Sequence, residues 1–181
     1  MKPVGKAKRS LGQNFLIDGS VIARIVSAAG IRAGETVVEI GPGRGALTGL
    51  LRGASERFVC IEKDDLLAAE WAGAFEEDSS STLLHADALE ILPADLPSPG
   101  PFRVVANLPY NVGARITMHL LEKWQGHVTG ATLMFQREVA QRITAAAGTR
   151  PFGALSVLVQ SFAEGWILFG VPPESFRPAP K

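Results

Sequence analysis

Residues 36–45 read Thr36-Val37-Val38-Glu39-Ile40-Gly41-Pro42-Gly43-Arg44-Gly45. A β-branched, almost wholly apolar run that breaks into Gly-Pro-Gly is the pattern of a strand covered on both faces and followed by a sharp turn. Glycine at 41 and 43 lets the backbone bend and lie close against a ligand at the start of the next helix. A nucleotide-like ligand suits such a turn. Gly41, Gly43 and Ala46 also satisfy the G-x-G-x-x-A dinucleotide pattern, and Gly-rich turns occur with no ligand, so the neighbouring segments must decide.

On either side, short apolar runs recur at 58–61, 82–84, 102–106 and 131–135, and stretches of helical periodicity fall between them at 46–51, 65–75, 114–124 and 137–147. Strand and helix therefore alternate, which predicts a doubly wound α/β domain built on a mostly parallel sheet with helices on both faces. Asp18 or Ser20 is positioned to cap a helix running to about Ala29 and closed by Gly30. Two later apolar runs, 155–162 and 166–171, are separated by Ala163-Glu164-Gly165 and read as a terminal antiparallel hairpin, which gives a seven-stranded sheet. The segment 93–101 carries four prolines over nine residues and reads as a loop.

The chain has 181 residues, 46% hydrophobic and 20% charged, which suits one globular domain rather than a disordered or fibrous chain. Its single cysteine, Cys60, lies inside an apolar run, so neither a disulfide framework nor a cysteine-based metal site is expected and a reducing cytoplasm fits. No metal is expected. No apolar stretch approaches the length of a membrane span, and the basic start is not followed by a signal-like region. The formal net charge is zero but unevenly distributed. Residues 1–57 hold nine Lys and Arg against four Asp and Glu, residues 58–100 hold one against ten, and residues 101–181 hold eight against four. If the fold brings the two basic ends to one face, a phosphate-binding surface can coexist with a neutral total. Solvated surface charge is the competing explanation.

The strand ends carry the chemistry. Glu62 lies twenty-one residues after Gly41, at the end of the second run, where a carboxylate can accept from both hydroxyls of a ribose. Asp87 follows the third run and can receive the exocyclic amine of an adenine, although a capping role is also open to it. The fourth run ends in Asn107-Leu108-Pro109-Tyr110. An enzyme that modifies a base amino group must take the base out of its stack, hold it on an aromatic face and orient the nitrogen lone pair. Tyr110 can stack, the Asn107 amide oxygen and the Leu108 carbonyl can accept the two amino hydrogens, and Pro109 fixes the turn. Such chemistry runs on alignment and needs no dyad or triad. None is visible, since His85, His119 and His127 stand in separate segments and read as structural residues.

Taken together, Leu11-Gly12-Gln13-Asn14-Phe15-Leu16, Glu39-Ile40-Gly41-Pro42-Gly43, Asn107-Leu108-Pro109-Tyr110-Asn111, Gln136-Arg137-Glu138-Val139-Ala140, Leu155-Ser156-Val157 and Val171-Pro172-Pro173-Glu174-Ser175-Phe176 resemble the rRNA adenine dimethyltransferases of the KsgA type. The macrolide-resistance Erm methyltransferases are their relatives. The resemblance implies a Rossmann-like class I methyltransferase fold and S-adenosyl-L-methionine as cofactor. It implies that Asn14 and Leu16 touch the methionine end, Gly41 the sulfonium region, Glu62 the ribose, Asp87 the adenine and Asn107 the junction with substrate, with Gly43 also cofactor-binding. Tyr110 and Phe176 would sandwich the target adenine, with anchoring of the tail as the simpler role for Phe176. Lys6, Lys8 and Arg9 would meet RNA phosphates.

The implied reaction is dimethylation at N6 of two adjacent adenosines near the 3′ end of small-subunit (16S) rRNA, within a pre-assembled small ribosomal subunit, by a monomeric enzyme in the cytoplasm. Residues 1–18 then form a basic arm and residues 19–181 the methyltransferase domain, with the family's C-terminal helical domain absent. Phe152 stands where the family commonly has tyrosine. The alternatives are an Erm-type enzyme of large-subunit rRNA, a noncatalytic ribosome assembly factor, and, on the Gly-rich turn and Glu62, an NAD-dependent oxidoreductase.

Overall fold

Every residue of Thr36–Ile40 is buried, because this strand (β2) has parallel neighbours on both edges and helices over both faces. The structure is a computed structural model that describes residues 14–98, 100–109 and 111–180. In chain order its elements are β1 (Phe15–Leu16), α1 (Gly19–Ala28), β2, α2 (Thr48–Gly53), β3 (Arg57–Glu62), α3 (Asp65–Glu76), β4 (Ser81–His85), β5 (Phe102–Asn107), α4 (Gly113–Lys123), β6 (Val128–Met134), α5 (Arg137–Ile143), α6 (Ala154–Gln160) and β7 (Phe176–Arg177). Five strands form one parallel sheet in the order β4-β3-β2-β5-β6. The order reverses beside β2, the switch point at which open α/β sheets bind ligands outside their strand carboxyl ends.

Two apolar layers flank the sheet. One gathers Val38, Ile40, Val59, Ile61, Val104 and Ala106 under α4, with Trp124 fully buried and edge-on to Phe102 at 5.5 Å. The other gathers Val37, Phe58, Cys60 and Val105 with Val21 and Ile25 of α1 and with Leu51 and Phe75. Within β2, Val37 and Val38 thus serve opposite layers, as period-two alternation requires. Burial pushes the Cys60 thiol well up, so it acts as a small core hydrophobe.

Asp18 caps α1, its carboxylate accepting from the backbone N–H of Ser20 at 2.9 Å and of Val21 at 3.3 Å. Strands β2 to β6 fall where the apolar runs stand, and the alternation of strand and helix is as read. The first strand of the sheet matches residue for residue, whereas β6 begins three residues early. An extra residue, Thr129, bulges out between the pairs Phe102–Val128 and Arg103–Gly130, and the polar Thr-Gly hides the strand's start.

The terminal hairpin is corrected. Residues 155–162 are mostly helix α6, and 166–171 join no ladder among the described residues. Hydrogen bonds to the end of α5 explain the helix. Ser156 Oγ accepts from Gly153 N–H and donates to the Arg142 carbonyl, and the Gln160 amide donates to the carbonyls of Ile143 and Ala145 at 2.9 Å each. One turn apart, Ser156 and Val159 face inward while Val157 and Leu158 face out. The seven strands therefore divide into the five-stranded parallel sheet and a separate antiparallel pair, β1 with β7. Phe15 and Leu16, placed within the arm on sequence, are part of that pair, with Phe15 opposite Arg177 and Leu16 opposite Phe176. Ile17 N–H donates to the Ser175 carbonyl at 2.8 Å, and Ser175 Oγ donates to Asp18 at 3.1 Å.

At the amino ends of the strands sits a buried ion pair. Glu35 accepts from Arg103 at 2.8 and 3.2 Å, from Thr129 at 2.6 Å and from Arg32 N–H at 2.8 Å. The Arg103 side chain lies across Gly130, where any Cβ would overlap it. Burial alone would raise the Glu35 pKa, but Arg103, Thr129 and the Arg32 amide outweigh it and hold the carboxyl at about 2. With its folded pKa depressed, this group stabilises the fold above the usual carboxylate range and loses that contribution as pH falls toward 2. Arg103→Ala strands the Glu35 charge and is expected to lower the unfolding free energy by about 3–5 kcal/mol in urea titration at pH 7. A loss below about 1 kcal/mol would show that the pair is effectively solvated.

Candidate functional site

Parallel pairing puts the carboxyl ends of β2, β3 and β5 side by side, on a cleft that runs from there along β6 as far as Arg103 and Thr129 and has a volume of about 1790 Å³ in all. Its walls at this end are Glu39, Gly41 and Gly43 after β2, Glu62 at the end of β3, and Asn107, Leu108 and Pro109 at the end of β5. Asn14, Leu16 and Phe176 enter from the clasp between β1 and β7, so residues predicted as site members from five separate segments meet on one cavity. The cleft continues along β6 toward Trp166, which is 71% exposed.

The turn has positive φ at Gly41 (66°), Gly43 (56°) and Gly45 (80°), which accounts for glycine at these positions. Among the described residues nothing lies within 4 Å of where a Gly41 side chain would start, so a ligand can approach that backbone directly. On its other flank, the Phe15 ring stands 3.5 Å from the same point on Gly43, and the Arg44 guanidinium covers Phe15 at 4.2 Å.

Glu62 is nearly inaccessible, and its two oxygens accept from Asp64 N–H at 2.8 Å and from Gly43 N–H at 3.4 Å. Desolvation pushes its pKa up, and these backbone N–H groups offset part of that. The bonds aim the carboxylate into the cleft and leave lone pairs for ligand hydroxyls.

Asp87 behaves differently. It stands beyond β4 at the same end of the sheet but does not line this cleft. Its carboxylate caps Leu89 N–H at 3.0 Å and pairs with the exposed Lys63 ammonium, which realises the capping role left open on sequence. Desolvation raises its pKa, and Lys63 with the Leu89 amide more than compensates, so the group is held below the ordinary value.

At the end of β5, Leu108 is buried under α4, and the Pro109 carbonyl accepts from Val112 and Gly113 at 3.2 and 3.1 Å, which fixes the exit into that helix. Phe176 is buried in the layer under α1 while lining the cleft, so anchoring and a site role coexist in one ring. Tyr110, Lys6, Lys8 and Arg9 lie outside the described residues. The histidines have structural partners: His85 faces Asp65 at 3.0 Å and His119 meets the Ile91 carbonyl at 2.8 Å.

Sequence reading gave Glu39 no role of its own, yet it is the most unusual group here. It is 2% exposed, and its Oε2 has no hydrogen-bond partner among the described residues. Burial pushes its pKa up to about 8; the Thr48 hydroxyl, facing it outside hydrogen-bond geometry, pulls back in part, and Glu62 pushes further. The available signal was a single carboxylate within an otherwise apolar, doubly covered strand. A buried acid with one oxygen unpartnered among the described residues, beside a backbone cradle and a second carboxylate able to accept from hydroxyls, fits a ligand that carries a positive centre and a ribose.

Because the Glu39 pKa is raised on folding, its contribution is fully present below the ordinary glutamate value and is lost as pH rises from there through about 8. Glu39→Gln should flatten this slope, reducing the loss of unfolding free energy between pH 5 and 8 by on the order of 2 kcal/mol. Parallel urea titrations of variant and parent check it, and equal slopes would show that Glu39 is ionised and solvated.

Comparison with known proteins agrees with this geometry. Residues 4–181 match the family described as ribosomal RNA adenine dimethylase. The chain is 44% identical, over 97% of its length, to the ribosomal RNA small subunit methyltransferase A of Paracoccus denitrificans, and it spans 64% of that relative's length. Among solved structures, the 23S rRNA methyltransferase ErmE superposes with a TM-score of 0.79 at 30% identity, covering 93% of this chain and 66% of that one. A dimethyladenosine transferase from Plasmodium falciparum superposes at 0.77 with 26% identity, covering 92% and 59%. With the family's pattern matched from residue 4 onward and its strand-end residues converging on one cleft, this chain belongs to the ribosomal RNA adenine dimethylase family.

Proposed function

We propose that the chain is the catalytic part of an S-adenosyl-L-methionine-dependent enzyme that dimethylates N6 of two adjacent adenosines near the 3′ end of small-subunit rRNA, in a pre-assembled subunit in the cytoplasm. The observation that carries this reading is the convergence of Gly41, Gly43, Glu62 and Asn107 on one cleft beside the buried Glu39, whose Oε2 has no hydrogen-bond partner among the described residues. The small-subunit assignment is supported by the 44% identity to ribosomal RNA small subunit methyltransferase A, against 30% to ErmE. The basic arm with Lys6, Lys8 and Arg9, and the further length that the relatives possess, are proposed to grip RNA.

When bound, the cofactor supplies an electrophilic methyl group on a sulfonium. The residues of the chain do the rest. Gly41 and Gly43 offer close backbone approach, Glu62 accepts the ribose hydroxyls, and Glu39 supplies a carboxyl that gains from a nearby cation. Asp87 reaches the adenine amine by exchanging its exposed pairing with Lys63, a partner held only weakly in solvent. On the substrate side, the Asn107 amide oxygen and the Leu108 carbonyl accept the two amino hydrogens and turn the nitrogen lone pair toward the methyl group. Tyr110 and Phe176 hold the base between them, and the proton leaves to solvent after transfer, so no strong base is needed.

Transfer of labelled methyl to undermethylated small subunits, with base-resolved mapping of product, tests the reading. Two adjacent dimethyladenosines are expected. Product on large-subunit rRNA alone would favour the Erm-type alternative, and cofactor binding without product an assembly factor. Asn107→Ala is expected to reduce transfer at least about 100-fold, a positioning loss, while thermal stabilisation by S-adenosylhomocysteine persists. Undiminished transfer in that variant would remove Asn107 from the mechanism, and stabilisation by NAD alone would overturn the cofactor assignment.

A further inference from the structure

The Gly-rich turn is held only in part by its own backbone. Between Gly41 and Gly45 its backbone has left the sheet, and three positive φ values leave it with little intrinsic preference. Gly41 N–H still reaches the Ile61 carbonyl at 2.9 Å, and Gly45 N–H reaches the Pro42 carbonyl at 2.9 Å. Between these bonds, the Gly43 residue is held by side chains. Its N–H meets Glu62 at 3.4 Å, which is long, and its carbonyl accepts from the indole N–H of Trp71 at 3.1 Å.

Trp71 lies on α3, half-buried and behind the turn, and is not among the residues lining the cleft. Its six-membered ring presses on Gly45 so closely that any Cβ there would overlap it, which explains the glycine independently of its φ. The ring is itself braced: it meets Phe75 edge-on at 6.1 Å, and Phe75 stacks at 6.1 Å on Phe58, a fully buried residue of β3. The Arg52 guanidinium covers Phe75 at 5.0 Å. A ladder of rings thus ties the turn to the strand that ends in Glu62.

A trans peptide points its carbonyl and its N–H in opposite directions. Because the Gly43 carbonyl is drawn back to Trp71, outside the cleft, the N–H side of the Gly43–Arg44 peptide is turned toward the cleft that Gly43 and Arg44 line. Tryptophan suits the task because it is a donor only, at the far end of a rigid bicycle with two side-chain torsions.

We propose that Trp71 is a positioning residue for the cofactor, holding the Gly43 carbonyl away from the cleft and so setting the turn before the ligand arrives. The proposal rests on the cofactor reading above and deepens it. Its mechanism is preorganisation: without the indole donor the turn samples other peptide orientations, and binding must select one.

Nitrogen-15 labelling of the three tryptophan indoles gives a readout separate from activity. Trp124, buried with its N–H on the Ile91 carbonyl at 3.0 Å, is the internal reference, and Trp71→Phe identifies the Trp71 resonance. On titration with S-adenosylhomocysteine, the Trp71 indole resonance is expected to move and saturate in step with calorimetric binding while that of Trp124 stays. Trp71→Phe, which keeps an aromatic ring on α3 and deletes the donor, should weaken that affinity about fivefold, the factor for one net hydrogen bond. An unmoved Trp71 resonance at saturation, or unchanged affinity in a folded Trp71→Phe protein, overturns the proposal and leaves the cofactor reading intact. If Trp71→Phe does not fold, the wild-type titration decides alone, with the resonance assigned from Trp124→Phe and Trp166→Phe. Absence of calorimetric binding to the wild-type chain would overturn both.

Discussion

The parallel pairing of β2 on both of its edges is the constraint from which the rest follows. It sets β3 and β5 in register beside β2, so that Ile40 stands opposite Ile61 and Ala106, and whatever follows each strand must emerge at the same end. Three turns of different sequence then share one cavity. The same pairing buries β2 completely, which is why its two carboxylates meet such different fates. Glu35, just before the strand, is closed in by Arg103, Thr129 and Arg32 N–H, and stabilises the sheet. Glu39, inside the strand, keeps an Oε2 with no hydrogen-bond partner among the described residues, and burial pushes its carboxyl up to about 8. Stability is concentrated at one end of the sheet and binding capacity at the other.

The legible part of this arrangement was the part written locally. Val37 and Val38 each face an apolar layer, so an uninterrupted apolar run is the direct imprint of double burial, and Gly41 and Gly43 are required by positive φ. Asp18 announces α1 for the same reason, because its carboxylate bonds within three residues. The family resemblance added roles for Asn14, Leu16 and Phe176 that composition and spacing do not contain, and the cleft brings those residues together with Glu62 and Asn107.

What was not legible depends on partners far along the chain. Residues 155–160 carry an apolar run that suits a strand or a buried helix, and the decision is made by Ser156 and Gln160 bonding to the end of α5. The bulge at Thr129 sets its hydroxyl on Glu35, 94 residues earlier. Trp71 reads as one more apolar residue of α3, since neither its bond to Gly43 nor its contact with Gly45 leaves any periodic mark. Asp87 shows the converse: its strand-end position was read correctly as placement, while its present hydrogen bonds are those of a cap.

The clasp between Leu16 and Phe176 joins residues about 160 positions apart and lines the rim of the cleft with both. Loop-closure entropy rises with separation, and a two-residue ladder offers little to offset it until the sheet and α1 are already in place. The rim is therefore a late product of folding. On a ribosome making this chain, β2, β3 and β5 emerge and can pair well before Phe176 is synthesised, so a nascent chain holds the floor of the cleft long before it holds the rim.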